Sequence, residues 1–343
     1  MNLQQILTKH PNSNKIDCFD LVKGDIPDPS LLTEEQVIVQ TKYISIDATN
    51  KVWISGVKTY MEPIKIGEVM KGLAVGEVVY SKSQTLKLGD LVLGLLTWQL
   101  YGVFHSSQLK KVPKEYPHHQ HFVGLLGISG LTAYIGLKEV GEVKEGDTLV
   151  VSAAAGAVGE LVVQFGKLMG AKVVGLAGSE EKCKYVEQLG AEYCINYKKE
   201  DIFEALKKHC SKGVDVYFDN VGGEILETVI NFMNIKGRIA LCGAISEYGD
   251  VTSKNKYGIK NLSSLIGKRI KMQGFIMSDY AAKFDEIGKI ILGYLQTGKI
   301  TFKEDITDGL ENAPKALEKL LNGENNGKTI IRIIGEKANL YDK

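Results

Sequence analysis

At 343 residues the chain is more than twice the commonest domain size, and its 44% apolar content is ordinary for a globular protein, so two domains with substantial cores are expected. Lys and Arg (42) nearly balance Asp and Glu (41) and neither sign clusters, which excludes the footprint of a nucleic-acid or anionic-membrane binder and leaves small molecules as the expected partners. The five cysteines, Cys18, Cys183, Cys194, Cys210 and Cys242, are scattered without CxxC spacing, against a disulfide framework or structural zinc lobe and for a reducing compartment.

The N-terminal "MNLQQILTKHPNSNK" has no basic region followed by an apolar core, and no run approaches the ~18 apolar residues of a membrane span. A cytoplasmic, unprocessed chain without a membrane partner is therefore expected. From Asn14 to about Lys111, the β-type runs "KIDCFDLV", "QVIVQTKYISID", "AVGEVVYS" and "DLVLGLLTWQLYGVF" are broken by Gly, Pro and Asp. Their even spacing predicts a mainly antiparallel, partly closed barrel. The segment "KEYPHHQHFVGLLGISGLTAYIGLKEV" then turns to small and apolar residues suited to helices connecting two domains, which sets a boundary between 125 and 126. Beyond it strands and helices alternate, from "DTLVVSA" through "KVVGLAG", "AEYCINY", "GVDVYFDN" and "GRIALCGA" to "KMQGFIM". The near-continuous Val, Ile and Leu runs predict a doubly wound parallel α/β domain over 126–298. Residues 299–343 read as strand, helix and strand without a Rossmann-type turn and are expected to return to the first domain.

Between "DTLVV" and "ELVVQFGKLMG" lies "SAAAGAVG", Ser152 to Gly159, with Ala154, Gly156 and Gly159 on the three positions of GxGxxG and Ala replacing the first glycine. The second position lets backbone approach a pyrophosphate, the third lets the helix pack on the strand, and the helix start offers unpaired N–H groups. Close helix packing without a ligand is the alternative. About twenty residues on, "LAGSEEK" puts Gly178 and Ser179 where an NAD site carries an acid, with Lys182 one turn into the next helix. A small residue, a hydroxyl and an ammonium suit the 2′-phosphate of NADP(H). Glu180 and Glu181 would repel that phosphate unless they serve the first turn of a helix capped by Ser179.

No cysteine lies between Cys18 and Cys183, so the ligands of both alcohol-dehydrogenase zinc sites are missing and no metal is expected. His118, His119 and His121 of "HHQH" lack a second ligand cluster and read as a solvated loop. Without a Lewis acid, hydride addition to a conjugated alkene remains feasible. The strings "KIGEVMKG" (65–72), "TWQLYGVF" (97–104), "LGISGLTAYIGL" (126–137), "SAAAGAVG", "FDNVGG" (218–223), "LCGAISEY" (241–248), "KRIKMQGFI" (268–276) and "GENNGKTI" (323–330) span nearly the whole chain. Together they resemble the zinc-independent medium-chain dehydrogenase/reductase superfamily, in the branch containing prostaglandin and leukotriene reductases, plant alkenal double-bond reductases and bacterial curcumin reductase.

The resemblance implies a GroES-like catalytic domain over 1–125, completed by 299–343, and a Rossmann NADP-binding domain over 126–298. It further implies a homodimer that uses NADPH to reduce the carbon-carbon double bond of enals and enones. Implied cofactor contacts are Ala155, Gly156, Ala157, Val158 and Gly159 for the pyrophosphate, Lys182 and Tyr197 beside Ser179 for the 2′-phosphate, and Asn220, Cys242, Gly243, Ala244, Ile245, Phe275, Ile276, Met277 and Asn325 elsewhere. Asn220 could instead cap its own turn, and Tyr197 could be half-buried packing. Tyr248 is the candidate general acid toward the α-carbon, with a cofactor hydroxyl or water as competitor. Where the branch often reads "DPYMR" this chain reads "DATNK" (47–51), so Thr49 replaces a tyrosine that lies by the substrate cleft in relatives. Trp53, Tyr60, Met61 and Tyr101 are the remaining candidate lining residues. A quinone reductase and a catalytically silent cofactor-binding adaptor of the same fold are the rival readings.

Overall fold

The computed structural model describes residues 1–249 and 256–334. They fall into two compact units, residues 1–124 with 249 and 304–334, and residues 125–248 with 256–303.

In the first unit β1 (Asn2–Leu7) pairs antiparallel with β2 (Phe19–Gly24). A larger sheet follows, built from β3 (Gln36–Ser45), β4 (Lys71–Ser81), β5 (Leu91–Thr97), β6 (Tyr101–His105) and β7 (Leu109–Val112), with the short helix α1 (Thr49–Trp53) after β3. β3 pairs with β6 over residues 36–40, with β4 over 37–44 and, at its end, with β15 over 43–45. Two register shifts against β4 make this possible, because a bulge bends its strand. Gly76 of β4 sits at the crowded point: a Cβ there would stand 2.3 Å from Val39 Cγ1 and 2.7 Å from Gln40 O. The strand path, β14-β15-β3-β4-β5-β7, ends without its outer strands pairing, so the barrel is open among the described residues.

The second unit opens with α2 (Ile128–Ile135) and then alternates β8 (Thr148–Val151), α3 (Gly159–Leu168), β9 (Lys172–Ala177), α4 (Glu180–Gln188), β10 (Tyr193–Asn196), α5 (Ile202–His209), β11 (Val214–Asp219), α6 (Gly223–Phe232) and β12 (Met233–Leu241). It closes with α7 (Ser263–Lys268), β13 (Lys271–Gly274) and α8 (Phe284–Gln296). The six strands run parallel in the order β10-β9-β8-β11-β12-β13. Each face carries its own core: Leu149 and Val151 of β8 join one cluster, Val150 the other. Burial on both faces is why the central strands β8 and β9 are nearly unbroken apolar runs, whereas the outer strand β13 has no buried residue.

The chain re-enters the first unit with β14 (Glu304–Asp308), α9 (Ala313–Leu321) and β15 (Lys328–Arg332). Residues 299–303 belong with the second unit rather than with this return. Ile300 lies in its core, and the Gln164 side chain accepts from Thr301 N (2.8 Å) and donates to Thr301 O (2.9 Å). The "HHQH" segment is only partly a solvated loop, with His118 exposed and His121 packed inward. It forms a short helical turn anchored by buried Val123, with His121 Nδ1 hydrogen-bonded to Tyr116 Oη (2.6 Å) and Nε2 3.8 Å from Glu304. Burial and His118 push the His121 imidazole down to about 4, so it stays neutral near neutral pH.

Candidate active site

Parallel strands end on one edge, and the order of this sheet reverses between β8 and β11, the place where doubly wound folds bind ligands. Ala155 to Gly159 follow β8, Ser179 and Lys182 follow β9, Tyr197 follows β10, Asn220 follows β11, Cys242 to Tyr248 follow β12, and Phe275 to Met277 follow β13. Every candidate cofactor contact but Asn325, and Tyr248 with them, is therefore collected on that edge. Asn325 belongs to the first unit, where its amide donates to Gly327 O (2.8 Å).

The turn after β8 places its left-handed residue at Ala153 (φ 48°), one position before the alanine aligned with the first glycine. Ala154 is fully buried instead, and its N–H donates to Leu176 O (2.9 Å), tying the turn to β9. A Cβ on Gly159 would stand 2.2 Å from Ala153 O, whereas one on Gly156 would stand 3.2 Å from the same atom. Packing thus demands the third glycine and only disfavours a side chain at the second. Gly156 N–H is used internally on Ala153 O (2.9 Å). Among the described residues the N–H groups of Ala155, Ala157, Val158 and Gly159 have no acceptor, and no side chain caps the helix they open. Four free donors at the positive end of a helix fit the pyrophosphate of a dinucleotide.

At the strand-order reversal sits a residue that sequence reasoning missed. Asp219 is fully buried, and its Oδ1 accepts from Ser152 Oγ (3.0 Å), Tyr217 Oη (2.8 Å), Val221 N (2.9 Å) and Gly222 N (2.9 Å). Its carbonyl accepts from Cys242 N (2.8 Å) and Gly243 N (3.1 Å). Its carboxylate thereby ties the turn after β8 to the turn after β11, and its carbonyl holds the turn after β12. Burial raises its carboxyl above the ordinary carboxylate value despite those bonds. Asn220 next to it donates from Nδ2 to Ser152 O (2.7 Å), so its amide holds the cradle turn and Oδ1 is the atom left for a ligand.

Ser179 caps α4 by accepting from Lys182 N (3.2 Å), as the first-turn role of the glutamates requires, and Glu180 pairs with Lys199 (2.5 Å). Tyr197 is 41% exposed rather than packed away, and its hydroxyl lies over Gly178. After β12, Tyr248 Oη accepts from Ala244 N (3.2 Å). Burial first, then Asp219, pushes the Cys242 thiol up to about 12, which removes it as a nucleophile. Phe275 packs edge-on against Phe218 in the core, so only its backbone can face a ligand. In the first unit the Thr49 hydroxyl bonds to Tyr60 Oη, which also accepts from Trp53 Nε1 (2.9 Å). Tyr101 is a core residue, 6% exposed beside Leu32 and Ile38. Among the described residues no three His, Cys, Asp or Glu lie together in a way that could hold a metal ion.

The family model described as zinc-binding dehydrogenase matches residues 157–292, and that described as the N-terminal domain of oxidoreductase matches residues 4–112. The NADPH-dependent curcumin reductase of Escherichia coli is 38% identical over 342 residues, covering 98% of each chain. The NADP(+)-dependent 2-alkenal reductase of Nicotiana tabacum is 36% identical over 339 residues, covering 97% of each. The crystal structure of CurA from Vibrio vulnificus in complex with NADPH superposes with a TM-score of 0.91 at 38% identity, covering 97% of this chain and 99% of that one. With its Rossmann-type parallel sheet and separate mixed sheet, the chain belongs to the zinc-independent medium-chain dehydrogenase/reductases, in the alkenal and prostaglandin reductase branch.

Proposed function

We propose that the chain is an NADPH-dependent reductase of the carbon-carbon double bond in α,β-unsaturated aldehydes and ketones. The observation that carries this reading is the strand-end edge, which joins four free N–H donors to a 2′-phosphate position without an acid, in a chain similar over nearly its full length to curcumin and 2-alkenal reductases. When bound, NADPH supplies the hydride that adds to the β-carbon. The chain's own residues hold and orient: Ala155, Ala157, Val158 and Gly159 through their N–H groups, Ser179, Lys182 and Tyr197 at the ribose phosphate. Tyr248 supplies the α-carbon proton, its oxygen already accepting from Ala244 N–H, a bond that makes the phenol a better donor.

Absorbance of NADPH is expected to fall on adding 2-nonenal, with the saturated aldehyde as product and far slower turnover with NADH. If neither cofactor is consumed with a panel of enals, enones and quinones, the reading is lost; consumption with quinones alone supports the quinone-reductase rival. Tyr248→Phe is expected to lower kcat about 100-fold with little change in NADPH affinity. An unchanged kcat assigns the proton to water or a cofactor hydroxyl. We also place the protein in the cytoplasm, because its five cysteines are free, and read it as a homodimer. β13 is an outer strand of its sheet, and Leu262, just before α7, and Ile266 within it are 49% and 81% exposed. A sedimentation mass of one chain would remove the dimer.

A further inference from the structure

We propose that Lys198 is a further cation for the cofactor's 2′-phosphate, and that Lys199 serves the same site by cancelling the charge of Glu180. The proposal rests on the NADPH reading above and concerns residues that the resemblance does not assign. β9 and β10 end side by side: Ala177 is paired with Asn196, and Tyr197 N donates to Ala177 O (3.2 Å). Gly178 follows directly, at the position where an NAD site carries its acid. A Cβ on Gly178 would stand 2.7 Å from Tyr197 Oη and 3.4 Å from Lys198 Cε. The phenol and the end of the lysine stem therefore both lie over bare backbone at that position.

The lysine is presented by a fixed turn. Lys198 N donates to the buried Asn196 side chain (3.2 Å), while Lys199 N and Glu200 N both donate to Asn196 O (2.9 Å each). Among the described residues the Lys198 ammonium has no hydrogen-bond or ion-pair partner. Lys199, one residue on, is spent on Glu180 Oε1 at 2.5 Å. Glu180 opens α4 directly after Ser179, so without that partner its carboxylate would repel a phosphate over Gly178; with it, the local negative charge is cancelled. Three consecutive residues thus supply a hydroxyl, a cation and a neutralising ion pair.

The test is calorimetric titration of the cofactor-free full chain with NADP+, NAD+ and 2′,5′-ADP. Lys198→Ala is expected to weaken NADP+ and 2′,5′-ADP about tenfold, the worth of one partly screened charge-assisted bond, and to leave NAD+ unchanged. Lys198→Arg restores most of the loss. Lys199→Ala is expected to weaken NADP+ about threefold, and adding Glu180→Gln to it restores affinity. Both lysines are exposed, so thermal stability stays at the wild-type value and folding does not confound the result. Unchanged NADP+ affinity in Lys198→Ala, or an equal loss for NAD+, overturns the role of Lys198. Failure of the Glu180→Gln addition to rescue overturns the role of Lys199. Wild-type protein that binds none of the three ligands removes the NADPH reading itself, an outcome distinct from a wild type that binds and a variant that binds equally well.

Discussion

Asp219→Ala is expected to cost about 5 kcal/mol of folding stability and to abolish NADP+ binding, although Asp219 itself touches no ligand surface. Truncation strands the hydroxyls of Ser152 and Tyr217, both fully buried, together with the N–H groups of Val221 and Gly222. Each buried donor left without an acceptor costs ~1–3 kcal/mol, and a typical fold holds only ~5–15 kcal/mol in reserve. Asp219→Asn keeps an oxygen that can accept all four bonds but buries an amide where Oδ2 has no partner, so a smaller loss of roughly 1–3 kcal/mol is expected instead. The pH dependence has a definite sign. Because burial raises the folded-state pKa of Asp219 above its unfolded value, this group favours the fold in acid and weakens it as pH rises through the folded pKa. The stability gap between native protein and Asp219→Asn should therefore narrow from acid to neutral pH. Denaturant unfolding across that range measures it. A constant gap refutes the titration of Asp219 as its cause, and native-like stability in Asp219→Ala refutes the carboxylate as the tie between the turns after β8 and β11.

Asp219 also marks where sequence reading stops. The central strands of the second unit are legible because burial on both faces makes β8 and β9 nearly unbroken apolar runs, and their strand-end turns follow from where those runs stop. An aspartate closing "VDVYFD" looks like any polar residue ending a strand; its bonds to Ser152, 67 residues earlier, exist only once β8 and β11 lie side by side. Likewise nothing in "NYKKE" singles out Lys198 until β9 and β10 bring Gly178 under Tyr197 and Lys198. In the first unit, "NLQQIL" hides β1 because its burial does not alternate and two of its residues are glutamines. The run "DLVLGLLTWQLYGVF" conceals a break between β5 and β6. Trp98 N donates to Met70 O (2.6 Å) and buries its ring, so the chain turns without a Gly or Pro at Trp98–Leu100 to announce it. The structure also shows why alanine suffices at position 154: the left-handed residue is its neighbour Ala153, so the turn does not require glycine at the aligned position.

The two remaining glycines of that turn allow a phosphate cradle to be distinguished from mere close packing. Gly159→Ala is expected to lower Tm by ~6–12 °C, because its methyl meets backbone on the rigid side of the turn. A Cβ there would stand 2.2 Å from Ala153 O and 2.8 Å from Ala154 Cα, so relief requires α3 to move away from the turn. Overpacking of that kind costs roughly 3 kcal/mol, and each kcal/mol is worth ~2–4 °C in a domain of this size. NADP+ affinity should fall about 100-fold as well, since the displaced helix start carries the free N–H groups. Gly156→Ala is the discriminating partner. Its Cβ would meet only Ala153 O, at 3.2 Å, so stability should change by less than about 1 kcal/mol. The methyl would nevertheless stand where backbone must approach a pyrophosphate, and affinity is expected to drop at least tenfold. Close packing without a ligand predicts no affinity for either variant to lose, and a Gly156→Ala protein that keeps both its Tm and its NADP+ affinity would remove the second glycine from the cradle.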